Sequence, residues 1–272
     1  MVTGTGDPTT GGYALTLDPA EIARYRMMAE QARGAEAGLW RMAGVGPGAR
    51  VADVGCGPGA LLPLLAADVG QDGEVVGVDG DPAAVAAATA YAGGIGRVSV
   101  RVAPAEDTGL PAGTFDTVMV RHVLAHNGGH EQAIVDHLAT LPRPGGFLYL
   151  VDAYGRGMAV EPDAPVLDEI ADRYHAFHAA RGNDLRAGLR LADWLRAAGL
   201  ELVEFSGRYQ IVTFPPGVRP PAWAARHAML AAGVVTAADL DRWDRALTEL
   251  DRRPDRPTGF MPIFTAIGRA RS

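Results

Sequence analysis

The chain has 272 residues, 48% of them hydrophobic, and a net charge of −7 with no basic block; this suits one large or two small globular domains and lacks the electrostatic footprint of a DNA- or RNA-binding protein. All 25 basic residues are arginine, so the absence of lysine excludes Schiff-base chemistry, pyridoxal phosphate with it, and the Walker phosphate loop. Only three serines occur (Ser99, Ser206 and Ser272), none in a nucleophile elbow, and a single cysteine forbids an intrachain disulfide.

Residues 1–12 are rich in glycine and threonine, with neither the basic segment nor the apolar segment of a leader peptide, and no run of 18 apolar residues occurs. The expectation is a cytoplasmic protein that does not engage a membrane. Asp18-Pro19 reads as an N-cap followed by proline at the first helical position, opening a helix to about Arg33 with Ile22, Tyr25, Met28 and Ala32 at helical spacing.

Residues 51–59 read Val-Ala-Asp-Val-Gly-Cys-Gly-Pro-Gly, a short apolar strand carrying Asp53 and then glycines at 55, 57 and 59. Glycine belongs where the backbone turns hard or approaches a ligand closely, and a helical stretch to Val69 follows at once, with Pro63 expected to bend it slightly. Strand, glycine turn and helix N-terminus together aim backbone N–H groups at a nucleotide. A second strand, residues 74–78, ends at Asp79 and Gly80, 20 residues beyond Gly59; an acid there suits a ribose with both hydroxyls free. Bare turns seldom need three glycines and two acids. The acid-x-Gly-x-Gly-x-Gly sequence and the Gly-Val-Asp strand end resemble motifs I and II of the class I S-adenosylmethionine-dependent methyltransferases, small-molecule branch. The dinucleotide spacing G-x-G-x-x-G differs, which places a nicotinamide dehydrogenase far behind.

The chain continues in alternation: a helix from Asp81-Pro82 to about Ala92, strand three at 97–102, strand four at 117–120, a helix from about Glu131 to Leu141, a proline/glycine turn at 142–146, and strand five at 147–152. The resemblance implies that Ala105, through its N–H, and Glu106, through its carboxylate, meet the adenine; Pro104 stands where relatives often carry an aspartate. Arg121 and the N-terminal Tyr13 and Arg24 are further cofactor or cleft contacts on the same ground. His126, and after it His122, follow strand four, where ligands bind in open sheets, and are the candidates for a general base. A base is needed only if the acceptor must lose a proton, and His122 and His126 could equally pack or contribute backbone contacts.

Two inserts depart from the family pattern. Residues 154–186 carry a helix with Leu167, Ile170, Tyr174 and Phe177 in one stripe, His175 and His178 beside it; these read as a packed cap, and no metal site is assigned. After a helix at 189–199 and strand six at 200–210, residues 211–259 hold a capped helix from Thr236 to Leu250 before strand seven at 260–267. The expected architecture is an α/β Rossmann-like, seven-stranded, mostly parallel sheet with helices on both faces. Residues 1–49 form a helical cover, and residues 50–272 form the core with cap inserts at 154–186 and 211–259. Cover and inserts are expected to make a mobile lid, with Tyr154, Phe177, Tyr209, Phe214 and Trp223 enclosing a small, partly apolar acceptor.

The resemblance implies S-adenosylmethionine as cofactor, with Asp53 orienting its methionine end directly or through water. Gly55, Cys56, Gly57 and Gly59 would let the backbone approach, and Asp79 and Gly80 would hold the ribose. It also implies O-, N- or C-methylation of a small molecule; an oligomer is compatible with the sequence. The alternatives are a methyltransferase-fold protein catalysing another reaction, such as a cyclisation, or a non-catalytic cofactor-binding subunit.

Overall fold

The computed structural model describes residue 17, residues 19–213 and residues 215–271. Apolar runs flanked by turns become strands β1 (Arg50–Val54), β2 (Glu74–Asp79), β3 (Val98–Val102), β4 (Phe115–Arg121) and β5 (Pro142–Ala153), all parallel, in spatial order 3-2-1-4-5. The last long strand, β8 (Thr258–Arg269), runs antiparallel to β5 on one side and to β7 (Glu201–Thr213) on the other. A short strand, β6 (Ala159–Glu161), also pairs with β8, so the sheet has eight strands where seven were expected.

Side chains alternate between the two faces of the sheet, as a strand's period of two requires. Ala52, Val54, Val118, Val120, Leu148 and Leu150 pack against α4 (Glu131–Leu138) and α6 (Leu191–Ala197). Val51, Val75, Met119, Tyr149 and Val151 pack against α2 (Leu62–Val69), α3 (Pro82–Ala92) and the end of α1 (Pro19–Met42). A third cluster joins α5 (Pro165–Ala180) to α7 (Pro221–Ala224), α8 (Arg226–Ala231) and α9 (Ala237–Arg252), so each insert buries its apolar stripe on the other. A capping box between Thr236 and Asp239 starts α9, as its sequence predicts. No helix among the described residues is long and apolar enough to cross a membrane.

Three local expectations change. Helix α1 does not stop near Arg33 but passes Gly34 and Gly38 to Met42: Trp40, 1% exposed, packs into the core, and Glu36, between the glycines, is bonded by Arg121, Arg208 and Tyr149, which together outweigh about 1 kcal/mol of helix propensity lost per glycine. Helix α2 begins at Leu62 rather than Gly59, which leaves Pro63 in its first turn, where a missing N–H breaks no helical bond and bends nothing. The stretch 142–146 is the irregular start of β5, not a free turn: Pro142 lies opposite Phe115 before the register resumes at Thr117 and Phe147. Asp18, the expected cap of α1, lies outside the described residues.

Candidate active site

The carboxyl ends of β1, β2, β4 and β5 open into a cavity of about 1220 Å³, larger than the usual few hundred Å³ of a single-ligand pocket. Gly55, Gly57 and Gly59 all have positive φ (76°, 54° and 77°), but for different neighbours. A Cβ on Gly55 would stand 2.2 Å from Val123 Cγ2, and one on Gly59 would stand 2.8 Å from Ala88 Cβ. At Gly57 a Cβ would meet only the Tyr25 ring, at 3.7 Å. Two of the glycines therefore close the loop onto the turn after β4 and onto α3, and the third leaves its open side to the cavity.

The loop is fastened to β2 by the backbone N–H groups of Gly55 and Cys56, which donate to Val78 O at 2.7 and 3.0 Å. Asp79 completes the joint: its Oδ2 accepts from Gly57 N–H at 2.8 Å and its Oδ1 from Asp81 N–H at 2.9 Å. Burial raises the Asp79 carboxyl above its ordinary range, and these backbone donors oppose the rise. Asp53 is 2% exposed; burial pushes its carboxyl up to about 7, with the Arg121 guanidinium pulling down and Asp79 pushing further up. The Cys56 thiol is likewise raised by burial and then by Asp53 and Asp79, so it stays protonated and inert. Gly80, Ala105 and Glu106 line the same end of the cavity.

Arg121 also lines the cavity, but its guanidinium is already engaged by Glu36 of α1. Glu36 accepts as well from Arg208 at 2.7 Å and from the Tyr149 hydroxyl at 2.8 Å. Burial works against the Glu36 charge, and the two guanidiniums with the hydroxyl outweigh it, holding the carboxyl down at about 2. Arg121, expected among the cofactor contacts, thus lines the cavity while its guanidinium ties α1 to the sheet. Arg24 faces the cavity paired to Glu21, and Tyr13 lies outside the described residues.

The opposite end is lined by five of the chain's seven histidines: His122, His126, His130, His175 and His178. His122 has φ 55, an uncommon backbone for a side chain with a Cβ, and its Nδ1 lies 3.8 Å from Asp152 Oδ1. Asp152, buried at the end of β5, accepts from Ala125 N–H at 3.0 Å and from Ala153 N–H at 2.8 Å, which fixes the short turn carrying His126. Burial lowers the His126 pKa below its ordinary value; Asp152 opposes and His122 reinforces this, so His126 is neutral at pH 7. Among the described residues no group of three or more His, Cys, Asp or Glu is arranged to hold a metal ion.

Helix α5 lays one face on this end through Leu167, Ile170, Tyr174, His175 and His178. The aromatic enclosure expected from the sequence is not built: Tyr154, Phe177, Tyr209 and Trp223 are absent from the wall, and Phe214 lies outside the described residues. Phe177 is turned by its helical phase into the cluster with Trp243, Trp223 packs there too, and Tyr209 is 66% exposed on strand β7. Among the described residues of the second insert, Pro220 and Ala222 reach the wall. Sequence reasoning missed Asp152, although an acid ending a strand at the ligand edge was a readable signal; it passed over Asn183 and Glu36, for which no local signal exists.

With this geometry in view, the comparisons with known proteins are informative. A family profile described as a methyltransferase domain matches residues 51–146, from β1 to the start of β5. The chain is 47% identical over 74 residues to the nocamycin O-methyltransferase of Saccharothrix syringae, a match covering 26% of each protein. It is 36% identical over 166 residues to the ubiquinone biosynthesis O-methyltransferase of Xanthomonas euvesicatoria, covering 59% of this chain and 66% of that one. The chain thus spans less than two thirds of the length of these curated relatives. The crystal structure of the YcgJ protein from Bacillus subtilis superposes with a TM-score of 0.58 at 18% identity, over 88% of this chain and 99% of the other, a likeness of fold.

Proposed function

We propose that this chain, which belongs to the class I S-adenosylmethionine-dependent methyltransferases, transfers a methyl group to an oxygen of a small, partly apolar molecule held between the sheet edge and helix α5. The observation that carries the reading is the joint at Gly57, whose open side faces the cavity beside the carboxylate of Asp79. A close backbone approach next to an acid at the end of the second strand is what a nucleoside needs. The acid end fits the cofactor otherwise as well: Asp53 is a buried carboxyl whose raised pKa falls when a positive group comes near, and Ala105 and Glu106 stand where the adenine is expected.

When bound, S-adenosylmethionine supplies a methyl group made electrophilic by its sulfonium. The protein's part is alignment, exclusion of water and movement of one proton. His126, neutral and lining the cavity, accepts the proton of the acceptor hydroxyl, and the buried carboxylate of Asp152 stabilises the imidazolium that results. Helix α1 and the inserts at 154–186 and 211–259 act as the lid, the second insert chiefly by backing α5. A cytoplasmic location, in keeping with a single cysteine, belongs to the same reading. Calorimetry tests the cofactor half: micromolar binding of S-adenosylhomocysteine with weak or absent NAD binding is expected, and the reverse preference would end the reading. Mass spectrometry of molecules that co-purify, followed by incubation with S-adenosylmethionine, tests the transfer. Bound cofactor that is never converted across a broad panel of acceptors would turn the assignment to a non-methylating enzyme or a binding subunit.

A further inference from the structure

Among the described residues the buried side-chain nitrogens Trp40 Nε1, Arg208 Nε and His178 Nε2 have no hydrogen-bond partner. Of these residues only His178 lines the cavity. Its protonation pattern follows from its neighbours. Gly128 N–H donates to Asn183 Oδ1 at 3.0 Å, which fixes the amide of Asn183 so that its Nδ2 faces His178 Nδ1 at 2.9 Å. An amide nitrogen can only donate, so His178 Nδ1 is the acceptor, and the proton of the neutral ring must sit on Nε2. Gly128 is held in place by the chain itself, since a Cβ there would lie 1.9 Å from Gly182 O. Burial, with the neighbouring His126, Arg181 and His175, lowers the His178 pKa to about 3, so the ring does not escape this tautomer by becoming charged. The result is a fixed N–H donor, 3% exposed, with the His126 ring edge-on at 4.8 Å and the Tyr174 ring at 4.3 Å.

We propose that His178 is the specificity-determining donor of the acceptor site: its Nε2–H binds a lone-pair oxygen of the acceptor that neighbours the hydroxyl deprotonated by His126. A donor closed off from water is costly unless a ligand atom matches it. His178 and His126 both line the cavity, with the His126 ring standing edge-on to that of His178 at 4.8 Å, so binding at Nε2 would require the His126 side chain to turn aside. The two imidazoles then divide the work, one taking a proton and one giving a hydrogen bond. A site of this kind prefers a hydroxyl with an adjacent carbonyl or other accepting oxygen over an isolated hydroxyl, because a buried donor discriminates strongly against a molecule that leaves it unpaired. This inference rests on the methyl-transfer reading above.

The test uses the full chain saturated with S-adenosylhomocysteine and two probes, 2′-hydroxyacetophenone, whose carbonyl oxygen neighbours its hydroxyl, and phenol. Long-range nitrogen NMR should show His178 as the Nε2–H tautomer, and 2′-hydroxyacetophenone should shift that proton downfield while phenol does not. The first probe should bind at least tenfold more tightly. That preference should vanish in His178→Phe and persist in His178→Gln, whose side-chain amide carries a donor near the position of Nε2. A His178 proton unmoved by either probe, a preference that survives His178→Phe, or an Nδ1–H tautomer would overturn the inference. Failure of S-adenosylhomocysteine to bind the unmodified protein would instead strike the methyl-transfer reading, so the two failures are told apart.

Discussion

At the acid end of the cavity, Asp79 holds the backbone N–H groups of Gly57 and Asp81, and the glycine loop is bonded to the strand beside it. At the histidine end Asp152 holds Ala125 across 27 residues, much as Asp79 holds Gly57 across 22, but the insert also takes part: Gly128 reaches Asn183 across 55, and α5 supplies part of the wall. Backbone geometry therefore fixes the first end, and side-chain packing of an insert fixes the second. The first tolerates little change of residue type because positive φ and missing Cβ atoms are demanded of it. The second can be rebuilt for another acceptor by changing one helix face. On the proposed reading, a cofactor common to a large family would sit at the rigid end and an acceptor particular to one member at the adaptable end.

Four measurements can break or sharpen that contrast. The largest effect is expected from His126→Phe, which should lower the rate of methyl transfer by about 10²–10⁴-fold, the usual worth of a general base, while leaving S-adenosylhomocysteine affinity untouched in calorimetry. A rate within a few-fold of the unmodified protein would mean that the acceptor needs no base there. Next come the glycines. Gly55→Val should destabilise the fold by about 3 kcal/mol or more, because it adds a clash with Val123 to an unfavourable φ, whereas Gly57→Ala should cost only about 1–2 kcal/mol by thermal unfolding and act mainly on cofactor affinity. Equal losses of stability at both positions would contradict the division of labour within the loop.

Asp79→Ala should weaken cofactor binding by about 1.5–3 kcal/mol, the range for hydrogen bonds to a charged group, with the fold retained. An unchanged affinity, alike for the normal and the 2′-deoxy cofactor, would show that the ribose sits elsewhere. The last measurement concerns pH. With its carboxyl raised to about 7, Asp53 must lose a proton to meet a positive ligand group, so affinity should be flat above pH 7 and fall by up to tenfold per pH unit below it. The same shift bears on stability. Asp53 holds its proton more tightly folded than unfolded, which favours folding in full below about pH 4 and is lost as pH rises to about 7. Asp53→Asn should therefore raise Tm at pH 8 and leave it nearly unchanged at pH 3; a pH-independent effect would place the carboxyl in a different environment.

The contrast between the two ends also explains what the sequence made legible. Asp53, the three glycines, Asp79 and the alternating strands and helices were legible because they fall in one contiguous strand, glycine turn, helix and strand pattern, in which positive φ and a strand-end acid leave a mark on residue type. His126 was readable from topology alone, as a residue after strand four. The aromatic wall was misplaced because a period of 3.6 tells which residues share a helix face but not which neighbour that face meets: Phe177 met Trp243, and His178, beside it, met His126. Strand β6 escaped notice because three residues, two of them exposed, carry no apolar alternation. Helix α1 was cut short because its glycines spoke locally and the burial of Glu36 did not.

Glu36 has a consequence for the order in which the molecule comes together. It lies early in the chain, but one of the guanidiniums that hold its charge, Arg208, follows 172 residues later, and the other, Arg121, follows 85 residues later. During synthesis the helix that contains it emerges long before either partner, and a carboxylate does not enter an apolar interior without them. A segment made early is thereby held by partners made late, the second guanidinium arriving only with β7.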